Sequence, residues 1–246
     1  MDPESRSHAA SPPSPSLCPM DAAACGYWTI HEDRWLVVLD KSSGLLSVPG
    51  IGPEKADCLV ARACMRWPTA RIVHRLDRDT SGVIVLALDA STHRDLSMQF
   101  ERRAVTKRYQ ALVAGQPPED SGSVDLPIRK DLENPPLQMV DAALGRASYT
   151  SWSALERLDS VPASVRRGEA ATTFRCTRMC LAPTTGRSHQ LRLHMRAIGH
   201  TILGDDLYGT PEECMAATRL CLHATHLTFT HPQTGECRTF ESPVPF

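Results

Sequence analysis

Four side chains able to do chemistry, His74, Arg75, Asp77 and Arg78, sit directly ahead of an apolar run from Val83 to Leu88. A carboxylate set between two guanidiniums is favoured in its charged form. An ionised carboxylate that is held in place can serve as a nucleophile or as a base. A bare loop Asp is more often a turn or capping residue; the flanking arginines and a second cationic segment far away in sequence argue for chemistry instead. Taken alone, the cluster suits several reactions. Carboxylate chemistry at a sugar carbon, as in glycoside cleavage, is one of them, and with RNA as the sugar donor the arginines would have a task.

The elements that must position this cluster follow from local pattern. Val83 to Leu88 is short and rich in β-branched residues, which predicts a strand buried on both faces. Asp79, Thr80, Ser81 and Gly82 are turn formers, so the charged residues ride a loop that feeds a core strand. Trp35 to Leu39 reads as an earlier strand, with turns at Ser42-Ser43-Gly44 and Pro49-Gly50. Glu54 to Trp67 has helical spacing and Pro68 ends it. Ser91 to Arg103 reads as a helix with Leu96 and Phe100 on one face, and Lys107 to Val113 as a strand. Further strands are expected at Val124 to Ile128, Ser148 to Leu155, Phe174 to Leu181 and Leu222 to Phe229. Arg157 to Thr172 is polar without a period and is expected to be an exposed insertion. His189 to Ile198 should be a helix capped by Ser188, its free N–H groups offering an anion seat. Strands outnumber helices and repeated βαβ crossovers are few, so the expected class is α+β, a mixed and largely antiparallel sheet with flanking helices.

The totals set outer limits. At 246 residues with net charge −1, the chain is large enough for a substantial core and is not basic overall, so any nucleic-acid binding must use local charge. Of 27 cationic residues only Lys41, Lys55, Lys107 and Lys130 are lysines, and Arg is the better fork for phosphate. Ala170 to Gly204 holds no acidic residue but carries Arg175, Arg178, Arg187, Arg192 and Arg196. The nine scattered cysteines include no C-x-x-C, which suits reduced thiols. No apolar run reaches membrane-spanning length. Residues 1–27, rich in Ser, Pro and Ala, are expected to be a disordered tail ahead of one domain over 28–246. Asp2, Glu4 and Asp21 depart from the composition of a targeting peptide, so a cytoplasmic location is expected, or an organelle if the tail does direct the chain there.

The stretch His74-Arg-Leu-Asp-Arg-Asp-Thr-Ser-Gly82 resembles the H-R-L-D-x-x-T-S-G signature of the RluA-type pseudouridine synthases. Lys107-Arg-Tyr109 is similar to that family's K-x-Y. Pro183-Thr-Thr-Gly-Arg-Ser-His-Gln-Leu-Arg-Leu-His194 resembles its P-x-T-G-R-x-H-Q-[LI]-R-x-H, and Gly204-Asp-Asp-Leu-Tyr208 its G-D-x-x-Y. Gly44-Leu-Leu-Ser-Val-Pro-Gly50 and Cys221-Leu-His-Ala224 also match. The likeness runs in order from about Trp35 to Phe246 and resembles the compact members without an S4 RNA-binding domain. Two prolines usual in the family are absent, at Ser42 and Thr201, which loosens turns without touching a reactive group.

The resemblance implies cofactor-free isomerisation of uridine in ribosomal or transfer RNA. The C1′–N1 bond breaks, the uracil turns, and a C1′–C5 bond forms. It implies Asp77 as the catalytic carboxylate, attacking C1′ or taking a 2′ proton. Tyr109 would stack on the flipped base and assist the late proton transfer from C5, while Arg187 would pair with Asp77. Arg75 would fill the space the base leaves, with His74, Lys107, Gln190 and Arg192 also toward the RNA. His194 reads as a core residue. No metal is expected: the His189, His194, His223 and His226 spacing is a weak ligand signal. RNA is the expected partner and a monomer the expected state. The rival reading is an RNA-binding protein that keeps the motif only as scaffold.

Overall fold

A computed structural model describes residues 25–246. The expected tail lies outside the described residues as far as residue 24, and Tyr27 already opens the first strand. The chain runs through β1 (Tyr27–Glu32), β2 (Leu36–Lys41), α1 (Leu59–Arg66), β3 (Arg71–Ile72), β4 (Ser81–Ala87), α2 (Ala90–Glu101), β5 (Thr106–Ala114) and β6 (Ser121–Asp125). It continues with β7 (Ile128–Lys130), β8 (Gln138–Val140), β9 (Tyr149–Leu158), β10 (Cys176–Pro183), α3 (Gln190–Ala197), α4 (Pro211–Met215), β11 (Leu222–Thr230) and β12 (Cys237–Glu241). One large sheet has the order β1-β2-β4-β11-β5-β10-β9-β6, with β3 beside β4 and β12 beside β11. Strands β7 and β8 form a separate pair. Only β4 and β11 pair in parallel among the described strands. The fold is therefore the mixed, largely antiparallel α+β arrangement the pattern predicts.

The strands behind the Asp77 loop are apolar on both faces, and the packing shows why. Val37, Leu39, Ile84 and Leu86 meet Leu59 and Ala63 of α1. Their alternating neighbours Leu36, Val38, Val83 and Val85 meet Leu96 of α2, Phe229 and Phe240. A strand covered by helices on both sides has no solvent face to keep polar. A third cluster joins Leu112, Met179 and Leu181 of β5 and β10 to Leu191 and Met195 of α3.

Gly82 explains how β4 and β11 come together. Its φ is +114°, and a Cβ there would lie 2.2 Å from the Ala224 carbonyl oxygen. Only glycine allows that approach, where Ser81 pairs with His223 and Gly82 with Ala224.

Three expectations need correction. The first helix begins at Leu59, not Glu54, since Pro53–Lys55 forms a 3₁₀ turn and Asp57 instead bonds Arg62 at 2.7 Å. Arg157 to Thr172 is not simply exposed: Val161, Val165 and Ala171 are buried in the third cluster, and the Val165 carbonyl accepts from Thr218 N–H. Its few anchors fall at uneven spacing in a polar run, so no period announces them. The acid-free Arg segment is also not a free cationic stripe. Acids from elsewhere come to it: Asp159 toward Arg175, Glu156 toward Arg178, and Asp205 and Asp206 against Arg192. Among the described residues no helix is long and apolar enough to cross a membrane.

Candidate active site

Asp77 lies on a loop pinned on both sides of it. Ser47 Oγ donates to the Leu76 carbonyl at 2.7 Å and accepts from Leu76 N–H at 3.1 Å. The Arg78 carbonyl accepts from the Lys41 ammonium and from Gly44 N–H, each at 2.9 Å, and Ser43 Oγ donates to the Asp79 carbonyl at 2.7 Å. Lys41 is fully buried, and its other two bonds go to the carbonyls of Ser42 and Leu45. Burial lowers its pKa to about 7, against the opposing pull of Asp79 and Asp77. The segment that the Gly44-Leu-Leu-Ser47 stretch resembles is thus the cradle of the Asp77 loop.

The loop opens on a cleft of about 570 Å³. Lining it are His74, Arg75, Asp77, Lys107, Tyr109, Arg187 and Gln190, which brings seven of the eight residues singled out from sequence into one site. Arg192 is the exception. It is 2% exposed, forked onto Asp205 with contacts of 2.7 and 2.5 Å, 3.1 Å from Asp206, and 5.2 Å over the Tyr208 ring. A guanidinium sealed this way cannot reach an RNA phosphate; it interacts with Asp77 only through its charge.

Asp77 itself takes no part in an ion pair among the described residues. The two arginines read as its flanking charges turn elsewhere: Arg78 to Asp79 at 2.9 Å, and Arg75 to Ser188 Oγ at 2.5 Å. Arg187, expected to pair with it, donates from Nε to the Ala147 carbonyl at 3.2 Å. Burial, then Arg146 and Arg103, push the Arg187 guanidinium below its ordinary pKa. Those three like charges repel, and an anion between them would relieve the strain. Ser188 accordingly does not cap α3. His189 occupies that position in the left-handed region, φ 55°, with no capping bond.

The other residues fall into two kinds. Gln190 is buried and saturated: its carbonyl accepts from Thr185 Oγ1 and Arg187 N–H, and its amide donates to the Tyr149 carbonyl and Thr150 Oγ1. It shapes the 184–188 loop rather than offering donors to RNA. His74 is stacked on Phe100 at 4.4 Å and accepts from Val85 N–H at 3.2 Å. Burial, then Lys107, lower its pKa to about 3, so the ring is neutral and braces the loop. Lys107 donates to the Thr185 carbonyl at 2.9 Å, and burial, then Arg103, bring its ammonium down to about 8. Tyr109 is raised well above an ordinary phenol by burial and then by the Asp77 charge. A phenol so firmly protonated suits stacking and is a poor base for a C5 proton.

Sequence reasoning did not find Thr80, Phe100, Arg103 and Arg146, all of which line the cleft. Arg103 had one local signal, a place just beyond a helix end, where it adopts φ 58°. His189 Nδ1 meets the Tyr208 hydroxyl at 2.7 Å, and that hydroxyl also accepts from Gln138 N–H. His194 is buried as expected, among Thr150, Ser148 and the Leu126 carbonyl. His223 bonds Ser81 and Ser242, and His226 lies 3.2 Å from Glu241, so the four histidines serve separate places.

The sequence matches the RNA pseudouridylate synthase family over residues 35–197. It is 44% identical to the dual-specificity RNA pseudouridine synthase RluA of Haemophilus influenzae, across 88% of this chain and 93% of that one. Against the Escherichia coli K12 protein of the same name the identity is 43%, with the same coverage. Among solved structures, human RNA pseudouridylate synthase domain containing 1 superposes with a TM-score of 0.73 at 27% identity, covering 92% of this chain and 87% of that one. Human RNA pseudouridylate synthase domain containing 4 shares the fold, with a TM-score of 0.64.

Proposed function

Since the chain belongs to the RNA pseudouridylate synthase family, we propose that Asp77 begins the isomerisation of a uridine turned out of structured ribosomal or transfer RNA into the 570 Å³ cleft. The chain is an RNA pseudouridine synthase, an isomerase; the residue roles and the choice of RNA are our reading. One observation carries it. Asp77 is the one carboxylate of the signature loop that lines the cleft, and it shares that cleft with the half-buried phenol of Tyr109 and a set of guanidiniums.

In this reading the base enters against Tyr109 and Leu222, and Arg75, exposed at the mouth, fills the gap left in the RNA stack. Arg103, Arg146 and Arg187 take the backbone phosphates around the flipped nucleotide. Both routes open to Asp77, attack at C1′ and removal of the 2′ proton, need a charged carboxylate set close to the sugar. The pinned loop supplies the placement, and the Arg192 guanidinium and Lys41 ammonium supply the surrounding field. The relatives' name speaks of dual specificity; carried over, it suggests that this chain acts on more than one RNA, reading shape and a few loop bases. A cytoplasmic monomer is the simplest arrangement for such a substrate.

Incubation of the purified protein with uridine-labelled ribosomal and transfer RNA, followed by nucleoside analysis, tests this. Pseudouridine should form in at least one; none in either would reject the reading.

A further inference from the structure

Thr80 is 2% exposed, lines the cleft, and carries one of two buried side-chain hydroxyls that have no hydrogen-bond partner among the described residues. Such groups are rare, because burying a hydroxyl without a partner is unfavourable. The surroundings do not let it turn away. Its own N–H donates to the Asp77 carbonyl at 3.2 Å. The next residue, Ser81, is fixed from behind: its hydroxyl accepts from Arg219 Nη2 at 2.6 Å and meets His223 Nδ1 at 2.8 Å. A β-branched side chain also has few rotamers.

Register shows what lies nearby. Ser81 pairs with His223 beside Leu222, and Ala224 of the same strand pairs with Tyr109. Thr80 immediately precedes β4, Leu222 opens β11 and Tyr109 lies within β5; these three strands are neighbours in the sheet, and the three residues line one cleft. An apolar side chain and a phenol ring suit a flat ring, not a ribose or a phosphate.

Resting on the reading above, we propose that the Thr80 hydroxyl is kept for the substrate: it donates a hydrogen bond to a carbonyl of the flipped uracil and sets the ring's orientation over Asp77. No bond is made or broken by Thr80; it is a contact that positions the base.

The test compares Thr80→Val, which keeps the shape and loses the hydroxyl, with Thr80→Ser, on RNA carrying uridine, 2-thiouridine or 4-thiouridine at the modified position. Thr80→Val should lose about tenfold in kcat, the size of one neutral hydrogen bond, with RNA affinity unchanged and melting temperature equal or higher. Thr80→Ser should recover most of the turnover. One of the two thio substitutions should slow the wild type and cause no further loss in Thr80→Val. Turnover of Thr80→Val within twofold of wild type, a matching fall in its melting temperature, or thio effects of equal size in both proteins would overturn the inference. A wild type that makes no pseudouridine on the unmodified RNA would instead reject the functional reading, and this inference with it.

Discussion

The Asp77 side chain is the least tethered part of a heavily tethered loop. Ser43, Ser47 and Lys41 grip the backbone at residues 76, 78 and 79, leaving the carboxylate free for a substrate. The positions most legible in the sequence were Asp77 and Tyr109, because the signature and the K-x-Y motif mark them directly and both line the cleft. Arg192 and Gln190 were read as RNA contacts, since residue type reveals a donor but not its burial. Their partners, Asp205 on one side and Thr185 with Tyr149 on the other, are set by tertiary packing. Lys107 gives a test of the electrostatics. Its pKa falls from 10.5 to about 8 in the folded chain. Between those values the unfolded chain holds a proton the folded chain has released, so stability rises with pH across that window and is flat below it. Urea midpoints of wild type and Lys107→Met, measured at several pH values, should therefore diverge in favour of wild type as pH climbs above about 8. A constant difference would show that Lys107 is not buried as described.

Among the elements, β4 and α2 were legible because their patterns are local: a continuous apolar run, and Leu96 with Phe100 one turn apart. The N-cap of α2 is Asp89, whose carboxylate accepts from Ser91 N–H and Thr92 N–H at 2.8 and 2.9 Å. The segment over Arg157 to Thr172 was misread because burial there depends on contacts with residues 216–218, far along the chain. The parallel contact of β4 with β11 likewise left only one local trace, Gly82. Gly82→Ala should cost about 3 kcal/mol, from an unfavourable φ and a clash with the Ala224 backbone. Chemical denaturation would measure it, and a loss well under about 1 kcal/mol would contradict the close approach.

For the molecule as a whole, a net charge of −1 means that RNA must be held by a few cations gathered at the cleft. The arginine excess was visible in composition, but most of the segment over Ala170 to Gly204 is spent on internal pairs. Arg75, Arg103, Arg146 and Arg187 line the cleft. If three of them, Arg103, Arg146 and Arg187, carry the phosphate contacts, the plot of log affinity against log salt should have a slope of roughly −2 for single-stranded target RNA. Arg146→Gln should reduce that slope by about 0.7 while binding weakens across all sequences alike. Fluorescence anisotropy over a salt series measures both, and a slope unchanged in the variant would remove Arg146 from the interface.

The most direct test of the central claim is Asp77→Asn, which keeps the side chain's shape and removes its charge. Pseudouridine formation on an RNA the wild type modifies should fall by roughly a thousandfold or more, while RNA affinity and melting temperature stay close to wild type. Turnover within about tenfold of wild type would mean that the carboxylate on this loop is not the group that acts on the sugar.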